Sequence, residues 1–225
     1  MPSRARALAR GALLAAALAS PGADAQDQIS AAEKLLFQTD HVRNVAPPAT
    51  LLYQFRKSGS AEPAFDDTVA IRIRTADGVK RASVAFFTNE RKIEFPEVTR
   101  PEGNPLLLYF LERDIRQMER LTGGKPGYFR KAIRLALARA ARVAQVQIAH
   151  GGKSVPASEI TIAPYVDDPL KDRIGKYVGK TYVFTLSPDI PGWIYSIRTT
   201  VASPAGGVKD PPLIEEQLRF VRVTR

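Results

Sequence analysis

Apolar and polar positions along this chain repeat with two different periods, and the change of period marks out its parts. Between Pro105 and Ala141 the apolar residues return every three or four positions. One run contains Leu107/Leu108, Leu111, Ile115, Met118 and Leu121, and the next contains Phe129, Ile133, Ala136/Leu137 and Ala140. The spacing predicts helices over 105–122 and 126–141. Asn104 can cap the first, Pro105 suits its N1 position, Gly123-Gly124 supplies the stop, and Pro126 opens the second. The polar face of the first helix is read as Glu112, Arg113, Arg116, Glu119 and Arg120; that of the second is basic, with Arg130, Lys131, Arg134 and Arg139. Each apolar stripe needs a sheet to cover it.

On both sides of this pair the period falls to two. Leu51, Tyr53 and Phe55, then Val69, Ile71 and Ile73, then Ala82, Val84 and Phe86, then Ile93 and Phe95 predict a four-stranded antiparallel meander, with Asp77-Gly78 as a hairpin turn. After the helices come Val146 and Ile148, a turn at His150–Lys153, Ile160 to Ile162 with Pro164 at the strand end, and then Thr181–Leu186, Trp193–Val201 and Ile214–Val223. A short helix over Ile29–Phe37, capped from Asp27 or Ser30, precedes the first strand. No linker-like tract separates the two strand blocks; Gly206-Gly207 and Pro211-Pro212 mark only a long connection before the last strand. The expected architecture is α+β: one strongly curved antiparallel sheet, an incomplete barrel, packed against a central helix pair in a single domain over 26–225.

The first 25 residues stand apart. Arg4, Arg6 and Arg10 precede the Leu/Ala-rich run Gly11–Ala19 and the small-residue site Ala23-Asp24-Ala25. This is the pattern of a cleaved signal peptide, which directs the remaining 200 residues to the periplasm or the extracellular medium. The chain contains no Cys, which excludes disulfides, thiolate metal sites, thiol catalysis and lipidation at a cysteine. Its net charge is +10, and loss of the leader's three Arg and one Asp leaves +8. Such a balance suits a solvated basic surface or contact with anionic lipid headgroups. Export argues against a nucleic-acid partner.

Candidate chemistry is sparse. No nucleophile elbow, phosphate-binding glycine loop, zinc-protease helix or dinucleotide fingerprint occurs. His41 and His150 are the only histidines, and each reads first as a capping or surface residue. Asp167-Asp168 with Asp172 lacks the spacing of a calcium loop and reads as a salt-bridged turn. No catalytic residue, metal site or cofactor is therefore assigned.

The aromatic residues change the picture more. On a curved sheet, Tyr53, Phe55, Phe86, Phe184, Trp193 and Tyr195 would share the concave side with Leu108, Leu111, Ile115 and Met118. That arrangement describes either ordinary core or a site for a lipid or acyl-chain ligand, with Arg130, Lys131 and Arg134 placed to meet anionic headgroups. A filled core would suit an envelope interaction or assembly protein, and a hydrolase using His41 or His150 remains a third alternative.

The leader ending Ala23-Asp24-Ala25, the segment Glu33-Lys34-Leu35-Leu36-Phe37 ahead of Leu51-Leu52-Tyr53-Gln54-Phe55, and a helix pair between two strand sets together resemble the LolA-like superfamily of periplasmic lipoprotein carriers. The resemblance spans 27–225 and implies an incomplete barrel enclosing lipid or acyl groups. Its functional implication is a non-enzymatic binding or carrier protein for an apolar or amphiphilic envelope molecule. The long basic second helix departs from the pattern.

Overall fold

The computed structural model describes residues 29–203 and 210–225; the leader with its cleavage site, Asp27 and Gly206-Gly207 lie outside them. The strands are β1 (Ala49–Ser58), β2 (Phe65–Ala76), β3 (Val79–Phe86), β4 (Ile93–Glu94), β5 (Val98–Thr99), β6 (Arg142–His150), β7 (Lys153–Ile162), β8 (Thr181–Leu186), β9 (Ile194–Val201) and β10 (Ile214–Thr224). They form one sheet in the order β4-β3-β2-β1-β10-β9-β8-β7-β6, with β5 also on β3. Every pairing is antiparallel. The two meanders meet where the first strand joins the last, with Phe55 opposite Leu218 and Lys57 opposite Glu216. The sheet does not close, because β6 at one end and β4 with β5 at the other do not pair.

The local chemistry of the turns sets this path. Asp77 and Gly78 both take positive φ, 52° and 70°, which matches the right-handed twist of the β2–β3 hairpin. Alternation then puts Leu51, Tyr53, Phe55, Ile71, Ile73, Phe86, Ile160, Phe184, Ile197 and Leu218 on the inner face, all essentially without exposure. β7 starts at Lys153 and ends at Ile162. It therefore begins well before the expected Ile160, and Pro164 falls in the following turn. Pro156 concealed the strand, yet it sits where β7 is bonded to β6 and not yet to β8, which begins pairing at Ser158.

Helices cover the inner face. α1 (Ala31–Glu33) continues as a π-helical turn, Lys34–Gln38. Ser30 caps it reciprocally with Glu33, and the Ser30 hydroxyl donates to Leu137 O at 2.9 Å. α2 (Pro105–Thr122) starts at its Asn104 cap and stops at Gly123, whose φ is 71°. α3 (Pro126–Arg139) ends two residues before the expected Ala141, and β6 follows almost at once. α4 (Lys171–Ile174) is a single turn.

α2 departs from its sequence reading in two ways. Leu108 is 56% exposed, although Leu107 beside it is buried. Arg113 and Asp114, by contrast, turn toward the sheet. Asp114 is fully buried and Arg113 pairs with Glu216 on β10. Charge alone marked Arg113 as solvent-facing, whereas the buried counter-charges of Arg113 and Asp114 lie 103 and 66 residues away in the chain, respectively.

Candidate functional site

Between α2 and the sheet lies a layer of ion pairs rather than empty space. Glu216 accepts from Arg113, and its carboxylate is 3.4 Å from Lys57 and 3.0 Å from Gln117 Nε2. Lys57 donates to Glu62 at 2.7 Å, and Glu62 also accepts from Arg120 and Gln117. Burial pushes the Glu216 carboxyl up, but Arg113, Lys180 and Lys57 outweigh it and hold it at about 2. The Arg113 guanidinium is itself enclosed by aromatic rings, 5.0 Å from Phe55, 5.4 Å from Phe110, 5.7 Å from Phe87 and 5.9 Å from Phe86. Next to it, Asp114 accepts from Lys180 and, at 2.7 Å, from the Tyr182 hydroxyl.

This layer decides where an apolar ligand has room. Tyr53, Phe55, Phe86, Phe184 and Met118 are fully buried, packed as core around it. Trp193 is half-buried beside His41, with ring centroids 5.7 Å apart. Tyr195 is half-buried with Arg219, which donates to its hydroxyl at 2.6 Å. These residues do not converge on one opening.

The remaining expected residues, all but Lys131, do converge. Leu108, Leu111 and Ile115 of α2 meet Ile133, Leu137, Arg130 and Arg134 of α3, with Glu33 and Phe37 at the end of α1, around an open groove of about 310 Å³. Leu111, Ile115, Ile133 and Leu137 form its floor; Leu108 and Phe37 stand on its rim. Arg130 is held by Glu112 through two hydrogen bonds, 2.8 and 2.7 Å. Arg134 makes no ion pair among the described residues, and neither does Lys131 on the same helix. The groove thus combines an apolar floor with an uncommitted cation at its edge, a composition suited to an amphiphile. Sequence periodicity found both helical stripes; it missed Phe37 and Glu33, because their place depends on how α1 docks.

A second depression of about 420 Å³ shares Phe37 and Leu108 with the first and continues along Val98, Arg100, Pro101, Leu107 and Tyr109. The start of α2 between them is fixed by Asn104. Its Oδ1 accepts from Leu106 N at 3.1 Å, its Nδ2 donates to Gly192 O at 2.9 Å, and its backbone N–H donates to His41 Nδ1 at 3.1 Å.

The two histidines lie in different surroundings. His41 is buried, its Nε2 lies 2.7 Å from Leu35 O, and both ring nitrogens are thereby committed to backbone. Burial lowers its pKa, opposed by the Leu35 hydrogen bond and by Asp40. His150 sits at the β6–β7 turn with its ring 5.9 Å from Phe220. Asp168 accepts from Tyr128 and from Leu170 N. Among the described residues, no group of three His, Cys, Asp or Glu side chains is placed to hold a metal ion.

No family model matches the chain, and no curated protein matches it. Several solved structures show distant similarity, among them the following two. The lipoprotein LppX of Mycobacterium tuberculosis is 11% identical, with 76% of this chain and 84% of that one covered at a TM-score of 0.31. A LolA superfamily protein from Nitrosomonas europaea is 9% identical, with 86% and 92% covered at a TM-score of 0.22. Likeness of this degree leaves the chemistry of the groove to be read from its own residues.

Proposed function

We propose that this chain is a non-enzymatic binding or carrier protein of the cell envelope, and that it holds an apolar or amphiphilic molecule in the groove between α2 and α3. The observation that carries the reading is the apolar floor of Leu111, Ile115, Ile133 and Leu137 beside an Arg134 that makes no ion pair among the described residues. An acyl chain lies along the floor, displacing water from apolar surface, and an anionic headgroup meets Arg134 and Lys131. Arg130 stays with Glu112 and shapes the wall. The exported location is supported by the leader: Arg4, Arg6 and Arg10, the apolar run and Ala23-Asp24-Ala25.

The test is direct uptake. The processed protein is incubated with lysophosphatidylglycerol and examined by native mass spectrometry. One bound amphiphile per chain is expected in the unaltered protein and a several-fold loss in Leu111→Trp, whose indole would occupy the groove. Equal uptake by both proteins would overturn the placement, and no uptake by either would overturn the reading.

A further inference from the structure

We propose that the face of α2 and α3 around this groove is a docking surface for an anionic lipid bilayer. Every exposed side chain of α3 is a cation: Arg130, Lys131, Arg134 and Arg139. The first three fall on one side of the helix, at positions i, i+1 and i+4. Beside them stand the two exposed apolar side chains of the groove rim, Leu108 at 56% and Phe37 at 39% exposure. Leu108 is the most exposed large apolar side chain among the described residues. A row of Lys and Arg next to protruding apolar groups is the composition of a surface that lies in the headgroup layer.

Charge complementarity selects the occupant. Glu112 is paired with Arg130, and Glu33, which accepts from the Ser30 backbone N–H, makes no ion pair among the described residues, so neither acidic residue of the groove lies within ion-pair distance of Lys131 or Arg134. A second copy docking here would bring two rows of cations together, which disfavours self-association. An anionic membrane supplies the opposite charge to α3 and an apolar layer for Leu108 and Phe37. The same geometry sets the mouth of the groove against the membrane interface.

The experiment uses the processed protein and sedimentation with vesicles of phosphatidylcholine, with and without phosphatidylglycerol. The unmodified protein is expected to bind only the phosphatidylglycerol vesicles, and to release as salt is raised. Neutralising two basic groups with K131Q/R134Q is expected to weaken binding roughly thirtyfold. Leu108→Gln should weaken it roughly tenfold with no change in melting temperature, since the side chain is already exposed. The proposal is overturned by absent binding, by equal binding to both vesicle types, by indifference to salt and to these substitutions, or by a dimer that Leu108→Gln abolishes. A protein that docks yet takes up no amphiphile would overturn only the cargo reading. One that takes up amphiphile but ignores vesicles would overturn only the docking surface.

Discussion

Lys180, in the turn before β8, donates to Asp114 on the inward side of α2, and neither side chain reaches solvent. The Tyr182 hydroxyl completes the site at 2.7 Å from the other carboxylate oxygen, and lies 3.0 Å from the Tyr165 hydroxyl. This pair fixes α2 against the second strand set, as Arg113 and Glu216 fix it against the seam between β1 and β10. Replacing Asp114 by Ala takes from the buried Lys180 ammonium the carboxylate it donates to, a change that costs about 3–5 kcal/mol. Urea denaturation should show that loss, and D114L/K180M should recover part of it. A loss under about 1 kcal/mol for Asp114→Ala would mean that water reaches the lysine.

Acid should act through Glu216. Its folded pKa of about 2 lies below the ordinary 4.5, so the charged form is favoured on folding. The associated stability is fully present above pH 4.5 and is lost as pH falls toward 2. The contribution is roughly 3 kcal/mol. A pH series of unfolding curves should slope across this window and flatten there in Glu216→Gln, which is also less stable near neutrality because Arg113 loses its anion and Lys57 keeps only Glu62.

His41 contributes a second pH dependence at milder acidity. Burial depresses its pKa, so the neutral ring favours folding; the effect is present above pH 6.5 and is lost as pH falls from there toward the lower folded value. Protonation also removes the acceptor for the Asn104 N–H. Hydrogen exchange at Leu106 and at Leu36 should therefore quicken at pH 5.5 relative to pH 7.5 in the unaltered protein. Such quickening beyond the intrinsic rates should be absent from His41→Gln.

Gly59 tests the junction between the β1–β2 loop and β10. Its φ is 130°, and a Cβ would stand 2.3 Å from Leu213 O, which accepts from Ala61 N at 2.9 Å. Gly59→Ala should cost roughly 3 kcal/mol from steric clash and backbone strain. A thermal melt unchanged from that of the unaltered protein would show that this loop yields freely.

Much of this architecture is legible in the sequence because it rests on local signals. The helix at Pro105–Thr122 declares itself through Asn104, Pro105, its apolar period and Gly123, and the β2–β3 hairpin through Asp77-Gly78. The α+β class and the open antiparallel sheet follow from those periods. The neighbours within the first meander follow as well, but the junction of the two strand sets does not, since β1 and β10 meet across nearly the whole chain and no local pattern names the partner. Buried ion pairs are illegible for the same reason: Arg113, Asp114, Lys180 and Glu216 look like surface residues until the fold brings them together. At the groove, the stripes of α2 and α3 identify Leu108, Leu111 and Ile115 and the basic row identifies Arg130 and Arg134, whereas Phe37 emerges only from the docking of α1.

The most direct measurement of the central claim is a titration of the processed protein with a fluorescent anionic single-chain amphiphile, comparing the unaltered protein with Leu111→Trp and Arg134→Glu. Saturable binding at one molecule per chain is expected. It should weaken at least tenfold when the floor is filled and about tenfold when the rim cation is reversed, the latter through loss of a charge-assisted contact. Saturable binding that is indifferent to both substitutions would place the ligand elsewhere. Absence of saturable binding would contradict a carrier or binding role for the groove.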